Sequence, residues 1–199
     1  LNLKKENRFK ITPHNDAFVE LDLNAAEVRT LIALSGTPQP MEDIHEHLMS
    51  KMPEAFHCRS DFKERLFAWL YNPNSVDKVF DKFLSKNTYL DFYNSEIKIL
   101  TTPFGRNIKV EEKKAQNYLL QSTTSDIVIC NAYKILKLLS GKRTNIAFTL
   151  HDSVILDFCK KDICLLKEIK SIFEETEWGR FKSTCKVGKN FGSLKEMKI

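Results

Sequence analysis

At 199 residues, 42% hydrophobic and 29% charged, the chain can bury a real core as one domain or as a core layer with an inserted subdomain. Its 31 Lys and Arg against 26 Asp and Glu give a net charge of +5, which permits an anionic partner without demanding one. No stretch approaches the roughly 18 apolar residues of a membrane span and no secretory signal opens the chain, so the expectation is a soluble protein of a cytoplasm-like compartment with no membrane partner.

The chain opens on Leu rather than Met, as a piece of a longer protein would. Phe18 to Asp22 alternates as a short strand, and Asn24 to Leu34 then carries helical spacing until Ser35 and Gly36 stop it. Asp22 thus stands at a strand end just before a helix. Read locally, Asp22 and Asn24 are caps of that helix. Thr37 to Pro40 breaks the chain, and Met41 to Ser50 reads as a short amphipathic helix ending before Pro53. His45, His47, His57 and Cys58 invite a zinc site, but His45 and His47, two apart, point to different sides of a helix.

Arg59 to Tyr71 is the most informative helix, stopped by Asn72, Pro73 and Asn74. Phe62, Leu66, Trp69 and Leu70 fall on one face as a core stripe. Beside them Arg59, Lys63, Phe67 and Tyr71 recur at every fourth position. Two cations followed by two aromatics along one line suit a nucleotide, the cations meeting phosphates and the rings meeting sugar and base. By spacing alone the favoured reading is a solvated flank whose cations pair with Asp61 and Glu64.

Val76 to Tyr93 keeps a shorter, more polar helical pattern, and Glu96 to Val110 reads as a hairpin turning near Pro103 to Gly105. A helix from Glu111 to Leu120 presents Lys113, Asn117 and Gln121 at successive four-residue steps, where amides can read base edges. Ser122 to Asp126 supplies cap residues for a separate apolar helix to Leu139, with Gly141 at its end. Ile146, Phe148 and Leu150 then alternate into a turn at His151, Asp152 and Ser153, and Val154, Leu156 and Phe158 alternate out of it. A carboxylate at the tip of a tight hairpin is well supported for metal binding or catalysis, although Asp is also common in turns for its geometry alone. A helix from Lys161 to Glu175 and a strand around Thr184 to Val187 close the chain. The five cysteines, Cys58, Cys130, Cys159, Cys164 and Cys185, have no paired spacing and read as reduced and structural.

In their order and residue types these elements resemble the family A DNA polymerases, the family of bacterial DNA polymerase I. Asp22, Glu27 and Arg29 look like the first palm motif; Asp43, Ile44 and His45 resemble the short element after it; Arg59, Lys63, Phe67 and Tyr71 match the face of the fingers helix. Thr102, Gly105 and Arg106 are similar to the returning hairpin, Asn117, Gln121, Thr123 and Asp126 to the next helix pair, His151 and Asp152 to the last palm motif, and Lys186 to Phe191 to the C-terminal strand. The match runs from about Phe9 to the end, and several ordered motifs are specific where one would not be.

The resemblance implies an α+β fold: an antiparallel-sheet palm (1–45 and 123–199) with an inserted helical fingers subdomain (46–122). It implies template-directed DNA polymerisation, in which a primer 3′ hydroxyl attacks the α-phosphate of a deoxynucleotide at two Mg²⁺ ions. By that analogy Asp22, Asp152 and the Leu23 carbonyl are metal ligands; Arg59 and Lys63 hold the triphosphate, with Lys63 as proton donor to pyrophosphate. Phe67 and Tyr71 close over sugar and base, Glu27 is the steric gate against a 2′ hydroxyl, and Lys113, Asn117, Gln121, His151 and Arg106 contact DNA. The chain departs from the family pattern at Ser153, where a Glu is usual, at Asn72 and Ser122, where glycines are, and at Lys113, where Arg is. With nothing before Phe9 to serve as thumb or exonuclease, the expectation is the palm-and-fingers part of a split or processed polymerase, of viral origin and acting in the host cytoplasm with a separate polypeptide. A single-subunit RNA polymerase is disfavoured by Glu27, since that group needs a small residue there. A non-catalytic subunit that binds DNA or a partner is the alternative.

Overall fold

The structure, a computed structural model, describes residues 4–52, 56 and 58–199. It is a mixture of helices and antiparallel sheet that divides into two compact units. One comprises the chain up to Asn24 together with Ile127–Ile199, and the other Ala25–Asp126. The chain enters through a 3₁₀ turn, Lys5–Lys10, and runs through β1 (Ala17–Leu23) into α1 (Ala26–Leu34), α2 (Ile44–Ser50) and α3 (Arg59–Tyr71). A single turn α4 (Phe80–Phe83) and a 3₁₀ segment Lys86–Phe92 lead to β2 (Tyr93–Asn94), β3 (Ile99–Thr101) and β4 (Asn107–Lys109). After the long α5 (Glu112–Leu138) come β5 (Asn145–Leu150), β6 (Ser153–Phe158), a 3₁₀ turn Lys160–Leu165 and α6 (Leu166–Glu174). The small strands β7 (Glu175–Thr176) and β8 (Gly179–Arg180) precede β9 (Ser183–Gly188) and β10 (Lys195–Glu196).

The sheet unit is built on five antiparallel strands in the order β10-β9-β1-β6-β5. β1 lies at the centre, paired with β6 on one edge and β9 on the other; its alternation buries Val19, Leu21 and Leu23 on one face, and Phe18 is buried on the other. The second half of the predicted hairpin differs from its simple alternation: Ser153 to Leu156 and Phe158 of β6 are all buried. An inner strand with both faces covered has no polar side, whereas β5 at the edge alternates between exposed and half-buried. Phe18, Ile155 and Phe191 form one core cluster, joined by Phe148 edge-on to Phe18 and Phe191. α6 buries Leu166, Ile169 and Phe173.

The helical unit centres on Trp69, Phe62 and Phe80, each 0 or 1% exposed, with Val28, Leu31, Ile44, Leu48 and Leu66 around them. Burying each such large side chain is worth roughly 1.5–3 kcal/mol. The core stripe expected of Arg59–Tyr71 is thus the one observed. Trp69 Nε1 donates to Asp81 (2.9 Å), satisfying the one polar atom that this burial strands.

Several expectations are corrected. The helix expected from Val76 to Tyr93 is one α-turn and a 3₁₀ segment, because Arg65 clamps Asp77 (2.6 Å) while the Lys86 ammonium takes the carbonyls of Asn72 (2.9 Å) and Ser75 (2.6 Å). Side-chain groups here hold the backbone in place of a helical ladder. The two helices expected on either side of Ser122 are one, since Thr124 meets Thr30 hydroxyl to hydroxyl (2.9 Å) and Asp126 takes Arg106 and Thr102: these polar residues bond sideways rather than capping a new helix. Asp22 and Asn24 do not cap α1; the cap is Ala25, in the left-handed region at φ 51°, and Asn24 Oδ1 accepts from Thr184 (3.3 Å). All five cysteines are free. Cys159 and Cys185 are buried, burial pushing the Cys185 thiol up to about 11, while Cys58, Cys130 and Cys164 are exposed and have no place in a core. No helix among the described residues is long and apolar enough to cross a membrane.

A buried carboxylate fixes the start of β9. Glu174, 3% exposed at the end of α6, accepts from the Ser183 N–H (2.7 Å), the Ser183 hydroxyl (2.9 Å) and Arg180 Nε (2.8 Å). Burial works to raise its pKa, but these donors outweigh it and hold the carboxyl below the ordinary glutamate value. A depressed carboxyl stabilises the fold above its unfolded pKa, and that contribution disappears as pH falls through the folded one. Glu174→Gln is therefore expected to cost about 2 kcal/mol in urea unfolding at pH 7, and the gap between wild type and variant should narrow when the unfolding is repeated near pH 4.

Candidate functional site

In the sheet unit the residues that bear the candidate metal carboxylates lie at one end of the central strands. Asp22, near the end of β1, is in register with Ser153 of β6 and Thr184 of β9. Asp152 occupies the two-residue turn from β5 to β6, with His151 before it at φ 52°, a left-handed conformation of the kind that tight hairpin turns demand. The Leu23 N–H donates to the Asp152 carbonyl (3.1 Å), so the backbone itself ties the two carboxylate positions. Both side chains are half-buried and His151 is exposed. Ser153, 3% exposed, spends its hydroxyl on the Leu150 carbonyl (2.8 Å), closing the turn inward. Its place is structural.

The Lys186 ammonium sits beside Asp22, 3.3 Å from Asp22 Oδ2 and 2.9 Å from Glu20 Oε2. Burial works to lower the Lys186 pKa, but the Glu20 bond and the charges of Glu20 and Asp22 raise it above the ordinary lysine value and keep it charged. Sequence reading placed Lys186 only in a closing strand. Its pairing depends on the β1–β9 register, which no local signal reveals.

The helical unit gathers the second set. Arg59, Lys63, Phe67 and Tyr71 line one flank of α3, as their spacing predicts. Phe67 and Tyr71 stack (centroids 5.7 Å apart, planes 16° apart), and the Lys63 ammonium lies 5.6 Å from the Phe67 ring centre. The Tyr71 hydroxyl donates to Glu27 on α1, and Asn117 of α5 donates to the Tyr71 carbonyl (3.1 Å). Tyr71, Glu27 and Asn117, far apart in sequence, thus form one group. Arg59 bonds Asp43 (2.9 Å), just before α2, rather than an acid of its own helix, and reaches His45 Nδ1 (3.4 Å). Arg106 is engaged with Asp126, while Lys113 and Gln121 are exposed on α5.

Two residues beside this group, Asp43 and His45, carry a motif match in the sequence but no expected role. Asp43 accepts from the N–H groups of His45 (2.9 Å) and Glu46 (3.1 Å), capping α2 while holding Arg59. Burial raises its pKa, but Arg59 and these N–H groups prevail and hold the carboxyl low. His45 is 4% exposed between Phe62 and Phe67; burial pulls its pKa down, Asp43 pulls it up, and Arg59 and Lys63 help keep it below the ordinary histidine value. Its neighbour in the zinc reading, His47, pairs with Glu42, and His57 lies outside the described residues. Among the described residues no group of three or more His, Cys, Asp or Glu is arranged around a metal site. The Asp43–Arg59 pairing depends on Arg29, which is fully buried and donates to the carbonyls of Pro40 (3.1 Å) and Glu42 (3.1 Å), fixing the loop that delivers Asp43.

The sequence matches no protein-family model and no curated protein. The fold does have a solved counterpart in the POL domain of Pol1 from M. smegmatis, a structure in complex with DNA primer-template and dNTP. The TM-score is 0.72 at 14% identity, over 96% of this chain and 43% of that one. This chain therefore spans less than half of that chain's length, and the likeness is one of fold, a mixture of helix and antiparallel sheet.

If Arg29 is the anchor of the loop before α2, Arg29→Met should lower unfolding free energy by about 3 kcal/mol, since one buried and one part-buried carbonyl lose a charged donor. Urea denaturation measures this. A loss under about 1 kcal/mol would mean that the loop is held by other contacts.

Proposed function

We propose that the chain is the palm-and-fingers part of a family A type DNA polymerase, adding deoxynucleotides to a primer 3′ hydroxyl under template direction. The observation that carries the reading is that Asp22 and Asp152, 130 residues apart in sequence, are brought to one end of the central sheet, where the Leu23 N–H next to Asp22 donates to the Asp152 carbonyl, on a polymerase-like fold. The palm takes in 1–45 and 123–199, and the fingers 46–122.

The donor set suits Mg²⁺. Two half-buried carboxylates and the Leu23 carbonyl are hard oxygen ligands, and Mg²⁺ keeps several waters and needs few protein ligands. When bound, a pair of such ions supplies charge stabilisation to the attacking and leaving oxygens. The chain's own residues do the rest. Arg59 and Lys63 meet the triphosphate, Arg59 as a forked donor that exchanges or shares its bond to Asp43, and Lys63 as the group that passes a proton to departing pyrophosphate. The stacked Phe67 and Tyr71 offer a flat apolar surface to sugar and base. Glu27, held by the Tyr71 hydroxyl, stands as the steric gate that leaves a 2′ hydroxyl no room. His151 meets the primer end; Lys113, Asn117, Gln121 and Arg106 meet template and nascent duplex. Duplex grip beyond these contacts comes mostly from phosphates, and we assign it to a thumb, with any exonuclease, on a separate polypeptide.

Primer extension with Mg²⁺ and deoxynucleotides tests the reading, with the purified chain alone and with whatever polypeptide co-purifies. Extension is expected in the mixture, and Asp152→Asn should reduce it by at least on the order of 10³-fold. Intact DNA binding with no extension under any condition would favour the non-catalytic alternative. In the same assay Glu27→Ala should raise ribonucleotide incorporation relative to deoxynucleotide incorporation; an unchanged ratio would remove Glu27 from the gate.

A further inference from the structure

We propose that Lys186 is the resident counter-cation of Asp22, holding that carboxylate until a divalent cation replaces it and then withdrawing to Glu20; this rests on the metal-binding reading of Asp22 above. Lys186 lies on β9 directly opposite Glu20 of β1, and Asp22 follows Glu20 by two positions, so the antiparallel register puts all three side chains on one face of the sheet. The ammonium bridges the two carboxylates, 2.9 Å from Glu20 and 3.3 Å from Asp22. Their environments differ: the Glu20 side chain is 12% exposed and that of Asp22 32%.

That difference sets which partner can be exchanged. A carboxylate as buried as Glu20 needs a permanent cation, whereas the more exposed Asp22 can be compensated from solution. A divalent ion arriving at Asp22 repels the ammonium toward Glu20, where a complete ion pair remains, so the exchange leaves no buried charge without a partner. Until then Lys186 keeps Glu20 and Asp22, two anions on one face, from repelling each other. Its presence also weakens cation binding, because the incoming ion competes with a charge already in place. Lys186 is in this sense a positioning residue: it acts on the reaction only through Asp22.

Binding of Mn²⁺ to the purified chain, followed through the electron paramagnetic resonance signal of the free ion, tests this without turnover. Lys186→Met removes the competitor; Glu20→Gln with Lys186→Met removes it together with the neighbouring carboxylate, and leaves the net charge of the face unchanged should the single variant fail to fold. Mn²⁺ affinity is expected to rise on the order of tenfold in both, with Asp22→Asn erasing the gain in each. Unchanged or weaker affinity in both variants, while Asp22→Asn abolishes binding to the otherwise wild-type chain, overturns the role of Lys186 and leaves the metal reading standing. A gain confined to Lys186→Met overturns it as well, because Glu20 has then become a ligand. Mn²⁺ binding indifferent to Asp22→Asn in every background overturns both readings.

Discussion

The candidate metal site depends on the pairing of β1 along both of its edges. With β6 on one side and β9 on the other, every residue from Phe18 to Asp22 has a partner in each neighbour. A slip of one position would turn Leu21 and Leu23, 0 and 2% exposed, out of the core and turn Glu20 and Asp22 into it. The apolar alternation therefore fixes where a carboxylate stands. Asp152 inherits that precision through the Leu23 N–H, and Lys186 through its place opposite Glu20. A hairpin alone would present Asp152 on a support free to fray; the sheet makes it a fixed position.

The helical unit achieves the same end by a buried cation. Arg29 has no exposure, and its guanidinium organises a loop that has no ladder of its own by taking the carbonyls of Pro40 and Glu42. The consequence reaches Arg59 in two steps, through the cap of α2 and the carboxylate of Asp43. Packing of α3 around Trp69, Phe62 and Phe80 sets its rotation, so the line of Arg59, Lys63, Phe67 and Tyr71 is left on the flank beside that core, with Phe67 packed against its edge. Core and functional line are thus two faces of one amphipathic pattern, and the first determines the second.

That shared pattern explains what could be read in advance. α3, the hairpin β5–β6 and the strand β1 carry strong periods, and periods reflect burial that a segment's own side chains dictate. The spacing of Arg59, Lys63, Phe67 and Tyr71 belongs to the same class of signal. Ser122 to Asp126 were misleading because hydroxyl and carboxylate residues cap helices when nothing else is near, and here Thr30, Thr102 and Arg106 are near. Asn24 failed as a cap for the same reason: Thr184, on a strand at the other end of the chain, is its partner. Val76 to Tyr93 kept a helical composition, yet Arg65 and Lys86 tie this segment to α3 and the turn after it through side-chain bonds to Asp77 and the Asn72 carbonyl.

The amino-acid sequence by itself determined the periodic elements, the residue types at the candidate site and their order along the chain, because these follow from local spacing and side-chain chemistry. Only the tertiary structure decided that the Leu23 N–H ties Asp152 beside the end of β1, that Tyr71 holds Glu27, that Arg59 rests on Asp43 and that Lys186 bridges Glu20 and Asp22. Each of these pairs joins separate elements. Strand register and helix packing bring them together, and both are set by the apolar residues around a site rather than by the polar residues within it.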